Sequence, residues 1–247
     1  MPDHRRRIAL VTGASRGLGK ATALALAAQG DHVILVARDA EKLRALAAVI
    51  CAAGGSAAVL PGDLADAATA AAIARHVADA HGRLDALFLN AARLGPLLPL
   101  TEVTEAEWSQ TLATNLTANW RLLRALHPCL QRSPAPRVLA VSSSAAANAK
   151  PDRGPYAISK LGLELLIETY ALEAAGAKVC ANLLDPGRLA TDMRAAAVPG
   201  EDPTTLPAPQ AVVPLVIELL SPACEDTGRL FRFADWSARR TSLEAMA

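Results

Sequence analysis

Cysteine is scarce and dispersed in this sequence. The four cysteines lie far apart, with no C-x-x-C pair and no histidine at the spacing of a metal ligand. This pattern argues against the disulfide framework of a small secreted domain and offers no candidate metal site. Free thiols persist in a reducing compartment, so we expect a cytoplasmic protein that binds no metal.

An excess of charge is also missing. The 247 residues include 25 lysines and arginines against 24 aspartates and glutamates, a formal net charge of +1. Bulk charge therefore gives no reason to expect a nucleic acid or a membrane surface as partner. No apolar run reaches the roughly 18 residues that a transmembrane helix needs. The basic residues Arg5, Arg6 and Arg7 precede an apolar run too short for a signal peptide.

Short apolar runs alternate with longer stretches of helical spacing. Hydrophobic residues make up 52% of the chain, enough for a large core. The runs that predict strands are Ile8–Val11, Val33–Val36, Ala57–Leu60, Leu84–Leu89, Arg137–Val141, Lys178–Leu183 and Leu230–Phe233. The stretches that predict helices are Leu18–Gln29, Ala40–Ala53, Ala67–His81, Glu105–Gln131, Tyr156–Ala174 and Gln210–Leu220.

This alternation predicts parallel strands joined by right-handed crossover helices. The strands are nearly continuous apolar runs, which is typical of a sheet covered on both faces. We therefore expect one α/β domain over residues 1–247, a doubly wound parallel sheet of about seven strands with helices on both faces.

Two segments do not follow this alternation. Residues 188–209 are rich in proline and separate the sixth predicted strand from the last predicted helix. Long inserts in compact domains often line a binding site, so we expect this segment to shape a substrate pocket; a surface excursion is the alternative. Residues 234–247 carry no clear period, and we expect this tail to be at most partly ordered.

A glycine-rich turn follows the first predicted strand. It reads Thr12-Gly13-Ala14-Ser15-Arg16-Gly17-Leu18-Gly19 and leads into the first predicted helix. A phosphate needs backbone N–H donors and close approach of the chain, which glycine permits, and a helix N-terminus adds its dipole. At this place in a strand–helix–strand series the turn predicts a dinucleotide site; a tight turn without a ligand is the alternative.

The residues after the second predicted strand discriminate between the two nicotinamide cofactors. An acidic residue at that strand end would bind the ribose hydroxyls of NAD. Here Arg38 follows the strand, and the nearest acid, Asp39, is placed to cap the next helix. Arg38 and Arg16 supply two guanidinium groups, whose planar fork binds phosphate through paired hydrogen bonds. We therefore expect NADP(H) rather than NAD(H).

Tyr156 and Lys160 are candidate catalytic residues. They are four residues apart at the start of a predicted helix, so both lie on one helix face. A nearby ammonium favours the phenolate and lowers the pKa of a tyrosine from about 10. Such a tyrosine can protonate a carbonyl oxygen, or act as a base in reverse. The other tyrosine in the sequence, Tyr170, has no lysine four residues later.

Other polar residues lie near this pair in the expected fold. Ser142, Ser143 and Ser144 follow the fifth predicted strand, at the sheet edge where ligands bind. A hydroxyl there can hydrogen-bond a developing alkoxide, although two of the three could simply cap or turn the chain. Asn115 interrupts a long helical pattern as a mediocre helix former, and a buried amide there needs partners.

Together these motifs resemble the short-chain dehydrogenase/reductase family over nearly the whole chain. The glycine turn corresponds to the family's T-G-x-x-x-G-x-G, and Ser143 lies at the family's distance of 13 residues before the Y-x-x-x-K tyrosine. Further segments similar to family motifs are Asp63-Leu64, Leu89-Asn90-Ala91-Ala92, Thr114-Asn115-Leu116 and Pro186-Gly187-Arg188-Leu189-Ala190-Thr191. The order and spacing of the motifs, rather than any one of them, carry the resemblance.

The resemblance implies a Rossmann fold and a role for each site residue. Tyr156 would be the general acid/base, and Ser143 would orient the substrate oxygen. Lys160 would bind the nicotinamide ribose and lower the tyrosine pKa, and Asn115 would hold a water that links Lys160 to solvent. The residues expected to contact the cofactor are Gly13, Ser15, Arg16, Gly17, Leu18, Gly19, Arg38, Asp63, Leu64, Asn90, Ala91, Tyr156, Lys160, Pro186, Gly187, Leu189 and Thr191.

Two departures from the family pattern bear on these expectations. Leu89 and Ala92 replace the first asparagine and the glycine of N-N-A-G, and the methyl of Ala92 narrows the space beside the cofactor. The usual glycine pair near the C-terminus is absent after Phe233, which weakens the case for the common tetramer contacts. We still expect a homodimer or homotetramer, because the helices bearing Asn115 and Tyr156 pair between subunits in many relatives.

The expected activity is hydride transfer between NADP(H) and a carbonyl or secondary alcohol carbon of a small molecule. A non-catalytic NADP-binding sensor or scaffold is the alternative from another class, although a binder needs no proton relay. Epimerisation through a transient keto intermediate would keep the fold and retain the oxidised cofactor. The run after Thr191 also resembles a poorly characterised bacterial branch of the family, which supplies no substrate.

Overall fold

The computed structural model describes residues 6–244 and contains one parallel sheet. Its strands are β1 (Ile8–Thr12), β2 (His32–Ala37), β3 (Ser56–Pro61), β4 (Ala86–Leu89), β5 (Arg137–Val141), β6 (Cys180–Asp185) and β7 (Leu230–Arg232). They lie side by side in the order β3-β2-β1-β4-β5-β6-β7, and every neighbouring pair is parallel. This confirms the predicted doubly wound α/β fold. Arg5, part of the basic start considered above, lies outside the described residues.

Helices cover both faces of the sheet. They are α1 (Gly17–Ala28), α2 (Ala40–Ala52), α3 (Ala67–His81), α4 (Glu105–Leu112), α5 (Ala118–Leu130), α6 (Gly154–Glu173), α7 (Asp192–Ala197), α8 (Val213–Leu220) and α9 (Phe233–Glu244). One core packs α3, α5 and α6 against the sheet, and a second packs α1, α2 and α8 against the other face. Within residues 6–244, no helix has the length and apolar character to cross a membrane.

The sheet order reverses between β1 and β4, and this switch point lies where the chain is firmly held. The Thr12 hydroxyl, at the end of β1, donates to the Phe88 carbonyl at 3.2 Å. The same oxygen accepts from the backbone N–H groups of Asn90 at 2.9 Å and Ala91 at 3.1 Å. These bonds fix the carboxyl ends of β1 and β4 to each other, at the crevice where open α/β sheets bind ligands.

The helix expected over residues 105–131 is interrupted. A π-helical segment, Ala113–Thr117, separates α4 from α5 and contains Asn115. Asn115 is fully buried: Oδ1 accepts from Arg93 N at 2.8 Å, and Nδ2 donates to Arg93 O at 2.9 Å and to Ser159 Oγ at 3.0 Å. Wider π turns of this kind often occur at functional sites. The spacing of the hydrophobic residues continues through this π turn, so the sequence pattern predicted one uninterrupted helix.

The expectation of a partly ordered tail is wrong for residues 234–244, because they lie in α9. Phe233 and Trp236 pack against the core, and Trp236 Nε1 donates to Glu218 Oε2 at 2.9 Å. Only the first turn carries apolar anchors, so the helix has no visible hydrophobic period. The last residues of the predicted tail, 245–247, lie outside the described part of the chain.

Candidate active site

A cleft of about 1590 Å³ opens along the carboxyl edge of the sheet. It brings together segments that are far apart in sequence, from the glycine turn after β1 to the residues after β6. The predicted site residues that line it are Gly13, Ser15, Arg16, Gly17, Leu18, Arg38, Asp63, Leu64, Asn90, Ala91, Ser143, Tyr156, Lys160, Pro186, Gly187, Leu189 and Thr191. Two others, Gly19 and Asn115, do not line it.

The glycine turn has a backbone that other residues would strain. Gly13 and Gly17 have φ of 66° and 54°, in the left-handed region that favours glycine. A Cβ on Gly13 would lie 2.8 Å from Asn90 Nδ2. Gly19 lies beneath the turn rather than in the cleft, and a Cβ there would clash with the Gly13 carbonyl oxygen and approach Asn90 Nδ2 to 2.6 Å. The close packing of Gly19 therefore sets the shape of the turn.

Replacing Gly19 with alanine is expected to lower the melting temperature by several degrees and to weaken NADPH binding about tenfold or more. The added methyl must push the Gly13 carbonyl and Asn90 apart, which distorts the phosphate-binding turn. Thermal unfolding and fluorescence titration with NADPH measure both effects. Gly176→Ala is the matched control, because a Cβ at Gly176 meets nothing within 4 Å. Unchanged NADPH binding in Gly19→Ala would contradict this account of the turn.

The adenosine end of the cleft has the acid and the arginine in the places expected from the sequence. Asp39 caps α2: Oδ1 accepts from Lys42 N at 3.0 Å, and Oδ2 pairs with Lys42 Nζ at 3.0 Å. That carboxylate is therefore occupied, whereas Arg38 is exposed and lines the cleft. Arg16 lines the same cleft, and its Nη1 pairs with Asp192 Oδ2 at 2.7 Å in an exposed ion pair.

Lys160 is buried beneath the catalytic end of the cleft. Its side chain is 2% exposed, and Nζ donates to the Val141 carbonyl at 2.6 Å. The same atom lies 5.8 Å from the centroid of the Tyr156 ring, so the two side chains share one face of α6 as predicted. Burial lowers the pKa of Lys160 to about 8, against the opposing effect of Glu164. Lys160 therefore remains mostly protonated at neutral pH.

Tyr156 is half-buried, and its pKa is raised rather than lowered. Burial is the largest cause; the Ser143 side chain lowers the pKa, the Asp185 charge raises it, and the Arg153 charge lowers it. The expectation that Lys160 lowers this pKa is therefore not borne out here. The physical reason is that burial disfavours the phenolate, while the Lys160 ammonium is bonded to the Val141 carbonyl. Tyr156 is therefore a neutral phenol at pH 7.

The three serines after β5 have different partners. Ser142 is buried and donates through Oγ to Glu164 Oε1 at 2.5 Å, a structural contact. The Ser144 carbonyl accepts from Asn148 Nδ2 at 2.8 Å within a turn. Ser143 Oγ accepts from Ala145 N at 3.2 Å, and Ser143 is the member of the three whose side chain lowers the pKa of Tyr156. The serine chosen by its distance from the tyrosine thus lines the same cleft as the phenol.

Comparison with known proteins identifies the family. A family model described as short chain dehydrogenase matches residues 7–202. The uncharacterized oxidoreductase YciK of Escherichia coli K12 is 34% identical over 217 residues, covering 87% of this chain and 86% of that protein. This chain belongs to the short-chain dehydrogenase family.

Solved structures of family members superpose closely on the chain. A short chain dehydrogenase from Salmonella enterica serovar Typhi has a TM-score of 0.89 and 34% identity, covering 94% of this chain and 98% of that one. A putative short chain dehydrogenase from Shigella flexneri, complexed with NADP, has a TM-score of 0.88 and 33% identity, covering 95% of this chain and 100% of that one. The chain is thus an oxidoreductase of this family, and the family resemblance proposed from its motifs is confirmed.

The departures from the family's N-N-A-G stretch have structural counterparts. Leu89 is 1% exposed and packs in the core between β4 and the helices, so an apolar residue suits its position. Asn90 supplies the contact to the glycine turn, donating through Nδ2 to Thr12 O at 3.0 Å. Ala92 lines the cleft, where its methyl takes space that the family's glycine leaves open.

Asn115 differs from the family expectation in its surroundings. Its side chain is fully engaged with Arg93 and Ser159, and its carbonyl accepts from Asn119 Nδ2 at 2.7 Å. A water bound to Asn115 would have to hydrogen-bond groups that these protein contacts already use. The side chain thus fixes the backbone after β4, at Arg93, and its role in a proton relay stays a prediction.

Sequence reasoning missed several residues of the cleft. The missed side chains include the charged residues Lys42, Arg93, Lys150, Arg153, Arg188, Asp192 and Arg194. Arg153 offered a signal, since it precedes Tyr156 by three residues and so lies at the same helix start. Arg93 offered none, because the loop that brings it to the cleft is irregular.

Proposed function

We propose that this protein is an NADP(H)-dependent oxidoreductase that transfers a hydride between nicotinamide and a carbonyl or secondary alcohol carbon. One observation carries the proposal. A neutral, half-buried phenol, Tyr156, lies with Ser143 at one end of a cleft whose other end holds the glycine turn and Arg38. A proton donor thus shares one cleft with a dinucleotide cradle.

The residues present fit a dinucleotide phosphate. Gly13 and Gly17 leave the turn without side chains where the diphosphate approaches, and the N-terminus of α1 follows directly. Arg38, free of the acid that caps α2, is placed for a 2′-phosphate. The Shigella flexneri structure, similar over nearly the whole chain, is complexed with NADP and supports the same cofactor here.

Tyr156 is proposed as the general acid in the reductive direction. Bound NADPH supplies the hydride. The raised pKa of Tyr156 keeps its proton in place at neutral pH, ready for the oxygen of a carbonyl substrate. The Ser143 hydroxyl, which lines the same end of the cleft, is placed to orient the same substrate oxygen. In the reverse direction the phenol must lose its proton first.

Lys160 is proposed to hold the nicotinamide ribose. Its ammonium is fixed by the Val141 carbonyl at the end of β5 and keeps further N–H donors, since an ammonium has three. A rigid, buried donor loses little entropy on binding a hydroxyl. The residues 188–209 are proposed to shape the substrate pocket, because members of this segment from Arg188 to Ala197 line the cleft.

A substrate panel tests the proposal. Purified protein with NADPH and a set of aldehydes, ketones and quinones is expected to oxidise NADPH with at least one compound. The loss of reduced-nicotinamide absorbance is the measurement, and omission of the carbonyl compound is the control. NADPH binding without turnover of any compound would favour a non-catalytic NADP-binding protein instead.

Replacing Arg38 with aspartate is expected to shift cofactor preference toward NAD(H). The change removes the proposed 2′-phosphate partner and adds a carboxylate that repels it, so NADPH affinity should fall about 100-fold, with little loss for NADH. Dissociation constants for both cofactors measure the effect. Arg44→Asp makes the same charge change at an exposed position on α2 outside the cleft. An unchanged preference in Arg38→Asp would mean that the phosphate site is wrongly placed.

We also propose that the outer faces of α5 and α6 associate with a second copy of the chain, in a homodimer or homotetramer. Trp120 and Leu165 are 46% and 65% exposed there, beside a groove of about 420 Å³ that Leu116 and Leu166 also line. Large exposed apolar patches commonly mark protein interfaces. Leu165→Glu is expected to give monomers in light scattering, whereas Val49→Glu, on α2 and 56% exposed, is not.

A further inference from the structure

The catalytic end of the cleft is rich in positive charge. Its cationic lining residues are Arg93, Lys150, Arg153, Arg188 and Arg194. Glu201 neutralises part of this set, accepting from Arg194 Nη2 at 2.6 Å and lying 3.8 Å from Arg188. Asp192 is paired with Arg16, and the buried Asp185 accepts from Gly187 N at 3.0 Å. Cations still outnumber carboxylates around the tyrosine.

Arg153 is the cation best placed to act on a substrate. It precedes α6 directly, three residues before Tyr156, and the two side chains line the same end of the cleft. Nη2 donates to the Ala197 carbonyl at 2.9 Å, a neutral partner at the end of α7. Arg153 pairs with no carboxylate of residues 6–244. Arg153 is thus a half-buried arginine that lines the cleft and has no carboxylate partner among residues 6–244.

The position of Arg153 separates it from the cofactor phosphates. The glycine turn and Arg38, which fit the diphosphate and 2′-phosphate, lie at the other end of the cleft. An anion beside Tyr156 must therefore belong to the substrate. A guanidinium binds carboxylate or phosphate through paired, charge-assisted hydrogen bonds, and its partial burial strengthens them.

We propose that the substrate is a carbonyl compound bearing a carboxylate or a phosphate, and that Arg153 binds this anionic group while Tyr156 meets the carbonyl oxygen. Lys150, exposed at the mouth of the same end, adds a second positive charge along the entry path. The inference rests on the proposed function, because it names the substrate class for that site. The bond to Ala197 also ties the anion site to α7, within the segment that shapes the pocket.

Matched substrate pairs test the proposal. Straight-chain oxo acids of about four to eight carbons are compared with their methyl esters, and dihydroxyacetone phosphate with dihydroxyacetone, by kcat/KM with NADPH. In at least one pair the anionic member is expected to be preferred about tenfold or more, the size of a charged hydrogen bond. The carboxylate and phosphate pairs show which anion the site takes. Equal or better turnover of the neutral member in every pair would overturn the proposal.

Variants assign the preference to Arg153. Arg153→Gln is expected to lower kcat/KM for the anionic substrate about tenfold or more, while the neutral partner and the Kd for NADPH change less than about threefold. Arg153→Lys keeps the charge and should retain part of the preference. Arg44→Gln, outside the cleft, is the control for loss of one surface charge. If Arg153→Gln lowered kcat/KM equally for the anionic and the neutral member of a pair, Arg153 would only position α7 and would not bind the anion.

A binding measurement separates this inference from the proposed function. Calorimetry of the protein saturated with NADP+ is carried out with the same oxo acids and phosphate and with their neutral partners. Binding of an anion that Arg153→Gln weakens about tenfold, without turnover of any compound, would support the anion site and reject the oxidoreductase activity. Turnover of neutral compounds, with no preference for the anionic member in rate or in binding, would support the oxidoreductase activity and reject the anion site.

Discussion

Tyr156→Phe is expected to lower kcat for carbonyl reduction by about 1000-fold, within the range that general acid–base catalysis contributes. The substitution removes one hydroxyl but keeps the ring at the start of α6. The Kd for NADPH should therefore change less than about twofold. Steady-state kinetics with any compound that the wild-type protein reduces measures kcat, and titration with NADPH measures the Kd.

Tyr170→Phe is the matched control for loss of a tyrosine hydroxyl. Tyr170 lies on the same helix and bonds His127 Nδ1 at 2.8 Å, away from the cleft. Its loss should leave kcat nearly unchanged. Substantial residual activity in Tyr156→Phe, together with normal cofactor binding, would remove Tyr156 from the acid/base role.

The pH profile gives a second readout of Tyr156. Because burial raises its pKa, the phenol stays protonated across neutral pH, and reduction should be independent of pH there. The contribution of Tyr156 to reduction should be lost as the pH rises through its raised pKa, above the range near 8 in which Lys160 loses its charge. Alcohol oxidation, which needs the phenolate, should increase through the pKa of Tyr156. An oxidation rate that is greatest below pH 7 would contradict the assignment.

Lys160→Met is expected to weaken NADPH binding about tenfold and to lower kcat about 100-fold. The variant keeps a buried, unbranched side chain but removes the charged donor, which is worth about 1.5–3 kcal/mol per bond. It also leaves the buried Val141 carbonyl without this partner, so some loss of stability accompanies it. Lys20→Ala, at an exposed position of α1, is the control for loss of a lysine elsewhere.

The pKa of Lys160 adds a signature that a purely structural role would not give. Since burial lowers the pKa to about 8, the free protein loses this positive charge as the pH rises above that value. NADPH affinity in the wild type should fall through the same range, and the fall should be absent in Lys160→Met. Parallel pH dependence in the two proteins would exclude Lys160 as a direct cofactor contact.

Patterns that repeat along the chain predicted the fold well. Parallel strands buried on both faces need continuous apolar residues, so Val33–Val36 and Arg137–Val141 were recognisable within a residue or two. The start of β6 was placed too early at Lys178, which has φ of 60° in a turn before the strand. Propensity does not register such a backbone reversal when the residue is not glycine.

Tertiary contacts explain what the sequence did not reveal. The Thr12 hydroxyl that joins β1 to β4, and the Gly19 contact under the turn, depend on segments more than 70 residues apart. The raised pKa of Tyr156 depends on burial, whereas helix spacing supplied only the distance to Lys160. The place of Arg153 in the cleft likewise depends on the fold, which brings its side chain to the Ala197 carbonyl.

Isotope transfer tests the central claim most directly. A compound reduced by the protein is incubated with NADPH deuterated on one or the other face of nicotinamide C4, and the product alcohol is analysed by mass spectrometry and NMR. The account predicts one deuterium on the carbinol carbon from one of the two labelled cofactors, with none from the other. Product without deuterium from either cofactor, or an isomerised substrate with retained oxidised cofactor, would contradict it.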